Sequence, residues 1–179
     1  EKVDILYVPT LNEVFSNKKI QRIKASRKAN KLCGKFRKGH FDGVVTVLKS
    51  LFNQVLPRKA FFGEKDAQQL RIIQQMVLDL NYPIKIISCP IIREKSGLAM
   101  SSRNQHLTVD EHKKASVIFK ALHVGKNLIS SGEKKAQAIR DKITEIISSE
   151  ASLTIDYVSV ADSQTMEEIL VEIEKNKQL

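Results

Sequence analysis

The sequence lacks the features that mark disulfide-bonded, membrane-spanning and zinc-binding proteins. Its 179 residues include only two cysteines, Cys33 and Cys89, which lie far apart and form no CxxC pair. No apolar run approaches the roughly 20 residues that cross a bilayer, and no secretory signal pattern opens the chain. These absences predict a cytoplasmic protein with reduced thiols and no membrane partner.

Metal-ligand patterns are also missing. The four histidines are separated from one another, and the sequence contains no HExxH motif and no cluster of carboxylates. We therefore predict no metal site made by protein ligands. His40 follows Gly39 at the expected start of a helix, where a polar side chain satisfies backbone groups, and we favour that role over a catalytic one.

The positive charge of the chain is concentrated in one segment. The formal net charge is +10, and residues 18–38 hold ten basic residues and no acidic one. A nucleic-acid surface is one interpretation. A solvated lysine-rich surface is the other, and we favour it because only Phe36 and Phe41 lie near enough in sequence to stack on bases.

Hydrophobic periodicity predicts an α/β fold in the first half. Short apolar runs at residues 3–8, 60–62 and 84–92 predict buried strands. Residues 44–55 and 67–80 lie between them and have apolar side chains at helical spacing. Strands alternating with amphipathic helices indicate a parallel sheet, whose ligands bind at the carboxyl ends of its strands.

The second half has a different pattern and predicts a smaller α+β domain. A capping box at Thr108 and Glu111 starts a long helix that runs to about residue 130. A second helix follows residues 131–135, and residues 154–162 alternate like a half-buried strand. We place the domain boundary near Arg93, with domains at residues 1–92 and 93–179.

Two polar stretches follow predicted strands. The first, the GEKD turn (residues 63–66), joins a strand to a helix, and the N–H groups of a helix N-terminus attract anions. Gly63 permits close backbone approach, and Lys65 adds a mobile positive charge. The alternative is structural, because Asp66 and Gln69 match a capping box that alone explains both residues.

The second stretch is REKSGLAMSSRN, residues 93–104, which ends in the SSRN segment (residues 101–104). Ser101, Ser102 and Arg103 offer hydrogen-bond donors to phosphate, although an ordinary interdomain loop has the same composition. Loops after neighbouring parallel strands meet at one crevice. The two stretches therefore predict that Lys65 and Arg103 meet on one triphosphate.

The stretches GHFDGV, FFGEKDAQQL and GLAMSSRN, in this order and spacing, resemble the pantothenate synthetase (pantoate–β-alanine ligase) family. The resemblance runs from the first predicted strand to about residue 108 and continues more loosely to about residue 166. It implies a partial Rossmann-like parallel sheet of the nucleotidyltransferase superfamily. It also implies a C-terminal portion that lacks the family's HxGH motif, so we expect the isolated chain to be inactive.

The resemblance implies a two-step reaction. ATP, with Mg²⁺, activates the carboxylate of pantoate and releases pyrophosphate. The amine of β-alanine then attacks the pantoyl adenylate, giving pantothenate and AMP. A homodimer is implied for the intact protein.

The same resemblance assigns site residues. It implies that ATP is bound by Gly63, Glu64, Lys65 and Asp66 of the GEKD turn, by the backbone of Ile92, and by Met100, Ser101, Ser102 and Arg103. Among these, Lys65, Ser101, Ser102 and Arg103 are the expected catalytic residues. Gln69 is expected to hold pantoate.

Two other functions stay open at this point. A basic nucleic-acid-binding module accounts for residues 18–38 but leaves the GEKD turn and the SSRN segment unexplained. A related nucleotidyltransferase that acts on another acid is compatible with both stretches.

Overall fold

A computed structural model of the chain describes residues 2–15 and 22–174. Within these residues the chain forms seven α-helices and two strands, together with short 3-10 turns. In chain order the elements are α1 (Leu11–Phe15), α2 (Cys33–Phe36), α3 (His40–Val55), β1 (Lys59–Gly63), α4 (Ala67–Asp79), β2 (Lys85–Cys89), α5 (Val109–Ala115), α6 (Val117–Ser130) and α7 (Ala136–Ser148). None of the helices in the described residues is both long and apolar enough to span a bilayer.

The two strands confirm the predicted α/β unit. β1 and β2 pair in parallel, with Lys59 opposite Lys85 and Gly63 opposite Cys89. The connection between them is the amphipathic helix α4, as expected for parallel neighbours. The strand predicted to reach residue 92 ends at Cys89, because Pro90 has no N–H to donate to a ladder.

The first hydrophobic core lies between this sheet and the helices α3 and α4. Helical spacing brings the apolar residues of each helix to one face, and Ile72 of α4 is fully buried there. The fully or nearly buried members are Phe41, Val45, Phe52, Ile72, Met76, Val77 and Ile84. This core fixes the N-termini of α3 and α4, which border the candidate site.

A second core joins α6 and α7 to the C-terminal segment. Its buried members include Ala121, Ile139 and Val160. Gly125 allows the two helices to approach closely, because a Cβ at that position would lie 2.6 Å from Cδ1 of Ile143. The partition at residues 92 and 93 stays a prediction.

The strand predicted at residues 3–8 is wrong. These residues form no strand, and the side chains of Ile5 and Leu6 are 86% and 78% exposed. An apolar run becomes a strand only where a neighbouring strand accepts its hydrogen bonds, and in the described part of the chain β1 pairs with β2 alone. Tyr7 instead contacts α3 through a hydrogen bond to Gln54.

The strand predicted at residues 154–162 is also wrong. Val160 is buried, as the alternation suggested, but the backbone forms only an isolated bridge between Ala161 and Glu168. Asp162 tightens this turn, because its carboxylate accepts hydrogen bonds from the N–H groups of Gln164 and Thr165. The local turn competes with an extended strand.

The long helix predicted from Thr108 is two helices. Its capping box is confirmed, since Thr108 Oγ1 accepts from the Glu111 N–H at 3.2 Å and Glu111 Oε2 accepts from the Thr108 N–H at 2.8 Å. The helix is interrupted at Ser116, where the hydroxyl donates to the carbonyl of Lys113 at 2.6 Å. A serine hydroxyl that bonds a helix carbonyl competes with the backbone ladder.

The end of α3 gives a test of backbone strain. Leu56 ends the helix in the left-handed region (φ 49°, ψ 52°), and its side chain is 75% exposed. A side chain in that region costs about 1–2 kcal/mol, and glycine avoids the cost. We expect Leu56→Gly to raise the free energy of unfolding by about 0.5 kcal/mol, after the greater chain entropy of glycine is subtracted.

The matched control is the preceding residue, Val55, which is the last residue of α3 and is also exposed. Val55→Gly should lower the free energy of unfolding, because glycine is a poor helix former. Urea titration followed by circular dichroism measures both variants. A loss of stability in Leu56→Gly would show that the strain at Leu56 is smaller than the entropic cost of introducing glycine.

Candidate active site

An open cleft of about 310 Å³ lies between the N-termini of α3 and α4. Its wall includes the charged and polar side chains of Arg37, His40, Lys65, Asp66 and Gln69, and the aromatic ring of Tyr157. Two long helices begin at this cleft, and helix N-termini favour negatively charged ligands.

The GEKD turn forms one side of the cleft. β1 ends at Gly63, residues Glu64–Asp66 form a 3-10 turn, and α4 begins at Ala67. Asp66 makes no side-chain cap to α4, so the capping-box alternative for Asp66 and Gln69 is wrong. The Nζ of Lys65 lies 3.9 Å from Oδ1 of Asp66. Because Asp66 makes no cap, the first N–H groups of α4 are not occupied by its carboxylate.

Two neighbouring glutamines have different surroundings. Gln68 is buried, and its Nε2 donates to the carbonyls of Lys28 and Lys31 at 2.8 and 2.7 Å. It thereby attaches the basic segment to α4. Gln69 is half-buried in the cleft wall, and its side chain makes no hydrogen bond to another described residue. Its amide is free to contact a ligand.

His40 occupies the opposite side of the cleft. Gly39 adopts a positive φ of 75°, which turns the chain into α3 and places His40 at its first position. The guanidinium of Arg37 lies 3.3 Å from Nδ1 of the imidazole. Because arginine can only donate, Nδ1 accepts this bond and the neutral ring carries its proton on Nε2.

The pKa of His40 is lowered from its ordinary value. Burial contributes most, followed by the positive charges of Arg37 and Arg103, and the negative charge of Asp66 opposes them. Asp66 belongs to the GEKD turn and Arg103 to the SSRN segment. One charge from each segment therefore contributes to the pKa of this imidazole.

The SSRN segment has its own local structure. Ser101 caps the 3-10 turn Ser102–His106, since its Oγ accepts from the Arg103 N–H at 3.2 Å. Ser102 and Arg103 are exposed. The exposed Met100 is joined to Ile92, whose carbonyl accepts a hydrogen bond from the Met100 N–H at 2.9 Å.

The structure brings some of the predicted site residues together and separates others. Lys65, Asp66 and Gln69 line the cleft, whereas Arg103 is not among its lining residues. Glu64 borders an adjoining cleft with Arg71 and Ser88, and Ser101 borders a third cleft beside α5. Gly63 ends β1 opposite Cys89, at the carboxyl edge of the sheet.

The C-terminal segment covers one end of the cleft. Tyr157 stacks on Phe36 with ring centroids 5.2 Å apart. Lys31 Nζ donates to the Thr165 carbonyl at 3.1 Å, and Arg71 Nε donates to the Ser163 carbonyl at 2.8 Å. Residues from both halves of the chain therefore build one site.

Part of the basic segment serves these internal contacts. Lys31 also pairs with Glu167 at 2.9 Å, and Lys28 Nζ lies 3.4 Å from Oε1 of Gln75. Residues 18–21 of the segment lie outside the described residues. The sequence analysis considered a solvated surface, which we favoured, and a nucleic-acid surface. Neither interpretation predicted that Lys28 and Lys31 would join different elements of the fold.

Sequence reasoning missed three side chains in the cleft wall. His40 was assigned to a helix start, which is correct for its position but omits its exposure to the cleft. Arg37, three residues earlier, had no motif of its own. Tyr157 lies almost 120 residues from His40 in sequence, and no local signal connects them. Gly39 was the available signal, because a glycine before a helix allows a turn that redirects the chain.

Within the described residues, carboxylates and imidazoles are not gathered into a metal site. In residues 2–15 and 22–174, no group of three or more histidine, cysteine, aspartate or glutamate side chains is placed to hold an ion. Glu64 and Asp66 do carry oxygen ligands of the type that Mg²⁺ prefers.

Comparison with known proteins gives a consistent result. The family model described as Pantoate-beta-alanine ligase matches residues 1–179. A pantothenate synthetase of Clostridium botulinum (strain 657 / Type Ba4) is 46% identical over 168 residues, which cover 94% of this chain and 60% of that protein. One from Caldicellulosiruptor saccharolyticus is 43% identical over 169 residues, with 94% and 60% covered. The chain thus spans about 60% of the length of these relatives.

Solved structures agree with this result. Pantothenate synthetase from Thermus thermophilus superposes with a TM-score of 0.89 at 32% identity, covering 96% of this chain and 62% of that one. Pantoate-beta-alanine ligase from Francisella tularensis, complexed with beta-gamma ATP and beta-alanine, gives a TM-score of 0.60 at 33% identity. That match covers 75% of this chain and 50% of the other.

The two glutamines of α4 give a test of structural against ligand-binding roles. Gln68→Ala should lower the free energy of unfolding by about 2 kcal/mol, because two backbone carbonyls lose their donor. Gln69→Ala should change it by less than about 0.5 kcal/mol. Urea unfolding of the two variants measures the difference, and equal losses would contradict this division.

The lowered pKa of His40 predicts a pH dependence of stability. The unfolded chain binds a proton near the ordinary value of 6.5, whereas the folded chain binds it only at lower pH. Stability should therefore fall as the pH decreases through 6.5 towards the folded pKa, and should be fully present above 6.5. The Tm of the wild type should fall more between about pH 7.5 and 5.5 than that of His40→Gln. Parallel Tm profiles would show that His40 contributes nothing.

Proposed function

This chain belongs to the pantoate–β-alanine ligase family, and on that basis we propose that it forms part of an enzyme that makes pantothenate from pantoate, β-alanine and ATP. The whole reaction is assigned to the intact protein, since the chain covers about 60% of its curated relatives. The Francisella tularensis ligase is complexed with beta-gamma ATP and beta-alanine, and these two ligands support the substrate assignment.

The proposed reaction has two steps. In the first, a carboxylate oxygen of pantoate attacks the α-phosphorus of ATP, the bond from that phosphorus to the bridging oxygen breaks, and pyrophosphate leaves. In the second, the amine nitrogen of β-alanine attacks the acyl carbon, the carbon–oxygen bond to AMP breaks, and the amine loses a proton. Both steps depend mainly on the positioning of reactants and the stabilisation of phosphate charge.

Each site residue predicted from the sequence is assigned a role in this reaction. Lys65 and Arg103 neutralise the phosphates, and Gln69 binds pantoate through its free amide. The backbone of the GEKD turn approaches the nucleotide, and the backbone of Ile92 lies on the adenine side. Met100, Ser101 and Ser102 complete the second nucleotide-binding segment. Glu64 and Asp66 would offer carboxylate oxygens to Mg²⁺, which would stabilise the charge of the phosphates.

One observation supports the assignment most strongly. Lys65, Asp66 and Gln69 line one cleft with Arg37 and His40, between the N-termini of α3 and α4. Cationic side chains and helix N-termini are the groups that bind phosphate. The nucleic-acid alternative is not favoured, because it gives no function to either segment.

Further properties of the intact protein belong to the same proposal. We assign it a cytoplasmic location and a homodimeric state. We also propose that the chain has two domains, with the boundary between them near residue 93. The isolated chain is expected to be inactive in the full reaction. Selectivity for pantoate over another acid depends on Gln69 together with parts of the family that this chain does not cover.

The role of Lys65 is testable by nucleotide binding. We expect the chain to bind MgATP and Lys65→Ala to bind it at least about tenfold more weakly, because one charge-assisted contact to phosphate is lost. Lys59→Ala is the matched control, since Lys59 is exposed at the opposite end of β1. Isothermal titration calorimetry measures the three affinities.

A second assay tests the chemistry. A chimera would add the part of the Clostridium botulinum relative that this chain does not cover. We expect it to catalyse pantoate-dependent exchange of pyrophosphate into ATP, and the exchange should be lost with Lys65→Ala. Loss of MgATP binding in Lys59→Ala as well, or exchange that needs no pantoate, would contradict the proposal.

A further inference from the structure

The residues that precede the SSRN segment form a small hairpin. Arg93 and Ala99 make an antiparallel bridge, and the N–H of Glu94 donates to the Leu98 carbonyl at 2.9 Å. The Gly97 N–H donates back to the Glu94 carbonyl, also at 2.9 Å. The hairpin therefore closes immediately before Ser101.

This hairpin is fixed to α6. The guanidinium carbon of Arg93 lies 4.4 Å from the ring centroid of Phe119, a cation–π distance. Nη1 of Arg93 also donates to the Gly97 carbonyl at 3.1 Å. Gly97 has a φ of +87°, and a Cβ there would lie only 2.2 Å from Cδ1 of Phe119. The hairpin therefore packs against α6 through Arg93 and Gly97, which both contact Phe119.

Glu94 links the hairpin to the elements on both sides of it. Its Oε1 accepts a hydrogen bond from Asn104 Nδ2 at 2.9 Å, and its Oε2 lies 2.9 Å from Nε2 of His112 on α5. The same Asn104 amide donates to the Ala99 carbonyl at 3.1 Å. The carboxylate side chain is only 24% exposed, and both of its oxygens are engaged.

Ser102 and Arg103 have no comparable attachment. Both are exposed, and neither side chain makes a hydrogen bond or ion pair to another residue in the described part of the chain. Their direction is set by the backbone of the 3-10 turn Ser102–His106. That turn contains Asn104, so the Glu94 carboxylate restrains the backbone that directs Arg103.

We propose that Glu94 is a positioning residue that holds the SSRN segment in its phosphate-binding geometry, with His112 orienting the carboxylate from α5. A restrained segment loses less conformational freedom when it binds a ligand. The identity of the ligand rests on the proposed function, whereas the restraint of the segment does not. We assign Glu94 no contact with substrate or reacting atoms, since Asn104 and His112 engage both of its carboxylate oxygens.

The restraint is measurable without any ligand. In Glu94→Ala, the amide hydrogens of Asn104 and Leu107 should exchange at least about tenfold faster, because the turn opens locally. In Glu94→Gln the rates should stay within about threefold of wild type, since Gln Oε1 still accepts from Asn104 and the isosteric side chain still fills the space beside His112. Hydrogen exchange at about pH 7.5, read by NMR, measures these rates.

The matched control is Asp110→Ala. Asp110 lies on the same helix as His112, but its carboxylate pairs with Lys114 on the surface at 2.6 Å. Exchange at Asn104 and Leu107 should be unchanged in this variant. His112→Ala removes only one partner of Glu94, so it should give rates between those of wild type and Glu94→Ala. It also provides a second test if Glu94→Ala does not fold.

Ligand affinity distinguishes positioning from general destabilisation. Glu94→Ala should weaken MgATP binding about tenfold and leave adenosine binding unchanged, because only the phosphates need the SSRN segment. Equal losses for MgATP and adenosine, or unchanged exchange at Asn104 and Leu107, would overturn the positioning role. A wild-type chain that binds no MgATP would count against the proposed function, and the exchange rates would still decide the role of Glu94.

Discussion

The parallel pairing of β1 with β2 determines where the GEKD turn and the hairpin before the SSRN segment begin. Because the ladder aligns Gly63 with Cys89, the chain leaves both strands at the same edge of the sheet. The GEKD turn follows the first strand directly, and the hairpin that carries the SSRN segment follows the second. An antiparallel pairing would send the two exits to opposite edges, and no single ligand could contact both segments. The hydrophobic face of α4 maintains this arrangement, since Ile72 and Met76 are buried against the sheet and α3.

The cleft combines a rigid wall with exposed charges. Gln68 joins α4 to the backbone of Lys28 and Lys31, and Lys31 in turn contacts the C-terminal segment at Thr165. These contacts use the Gln68 amide, the Lys31 ammonium and backbone carbonyls for structure, and they leave the side chains of Lys65 and Arg103 available to a ligand. His40 shares the cleft wall with Lys65, and its lowered pKa favours a neutral ring at neutral pH. A neutral imidazole does not compete with the lysine and the arginine for a phosphate.

Much of the first half could be predicted from local sequence. Helical spacing of apolar residues identified α3 and α4, and Pro90 explains why β2 is shorter than its apolar run. The capping box at Thr108 was correct because both of its partners lie within four residues. Asp66 has the same sequence pattern but makes no cap, since a 3-10 turn precedes α4 and alters the geometry at that position. The runs at residues 3–8 and 154–162 were misassigned because strand formation depends on a partner that composition does not specify.

Short motifs and hydrophobic periodicity were enough to establish the family, the order of strand, helix and strand, and the candidate nucleotide-binding residues. Three-dimensional packing was needed to show that Arg37, His40 and Tyr157 share a wall with Lys65, and that Glu94 connects Asn104 to His112. Such contacts join residues that are distant in sequence, and their geometry follows from how the two hydrophobic cores pack. A linear pattern carries no distance across a cleft, so the arrangement of charges around His40 exists only in the folded chain.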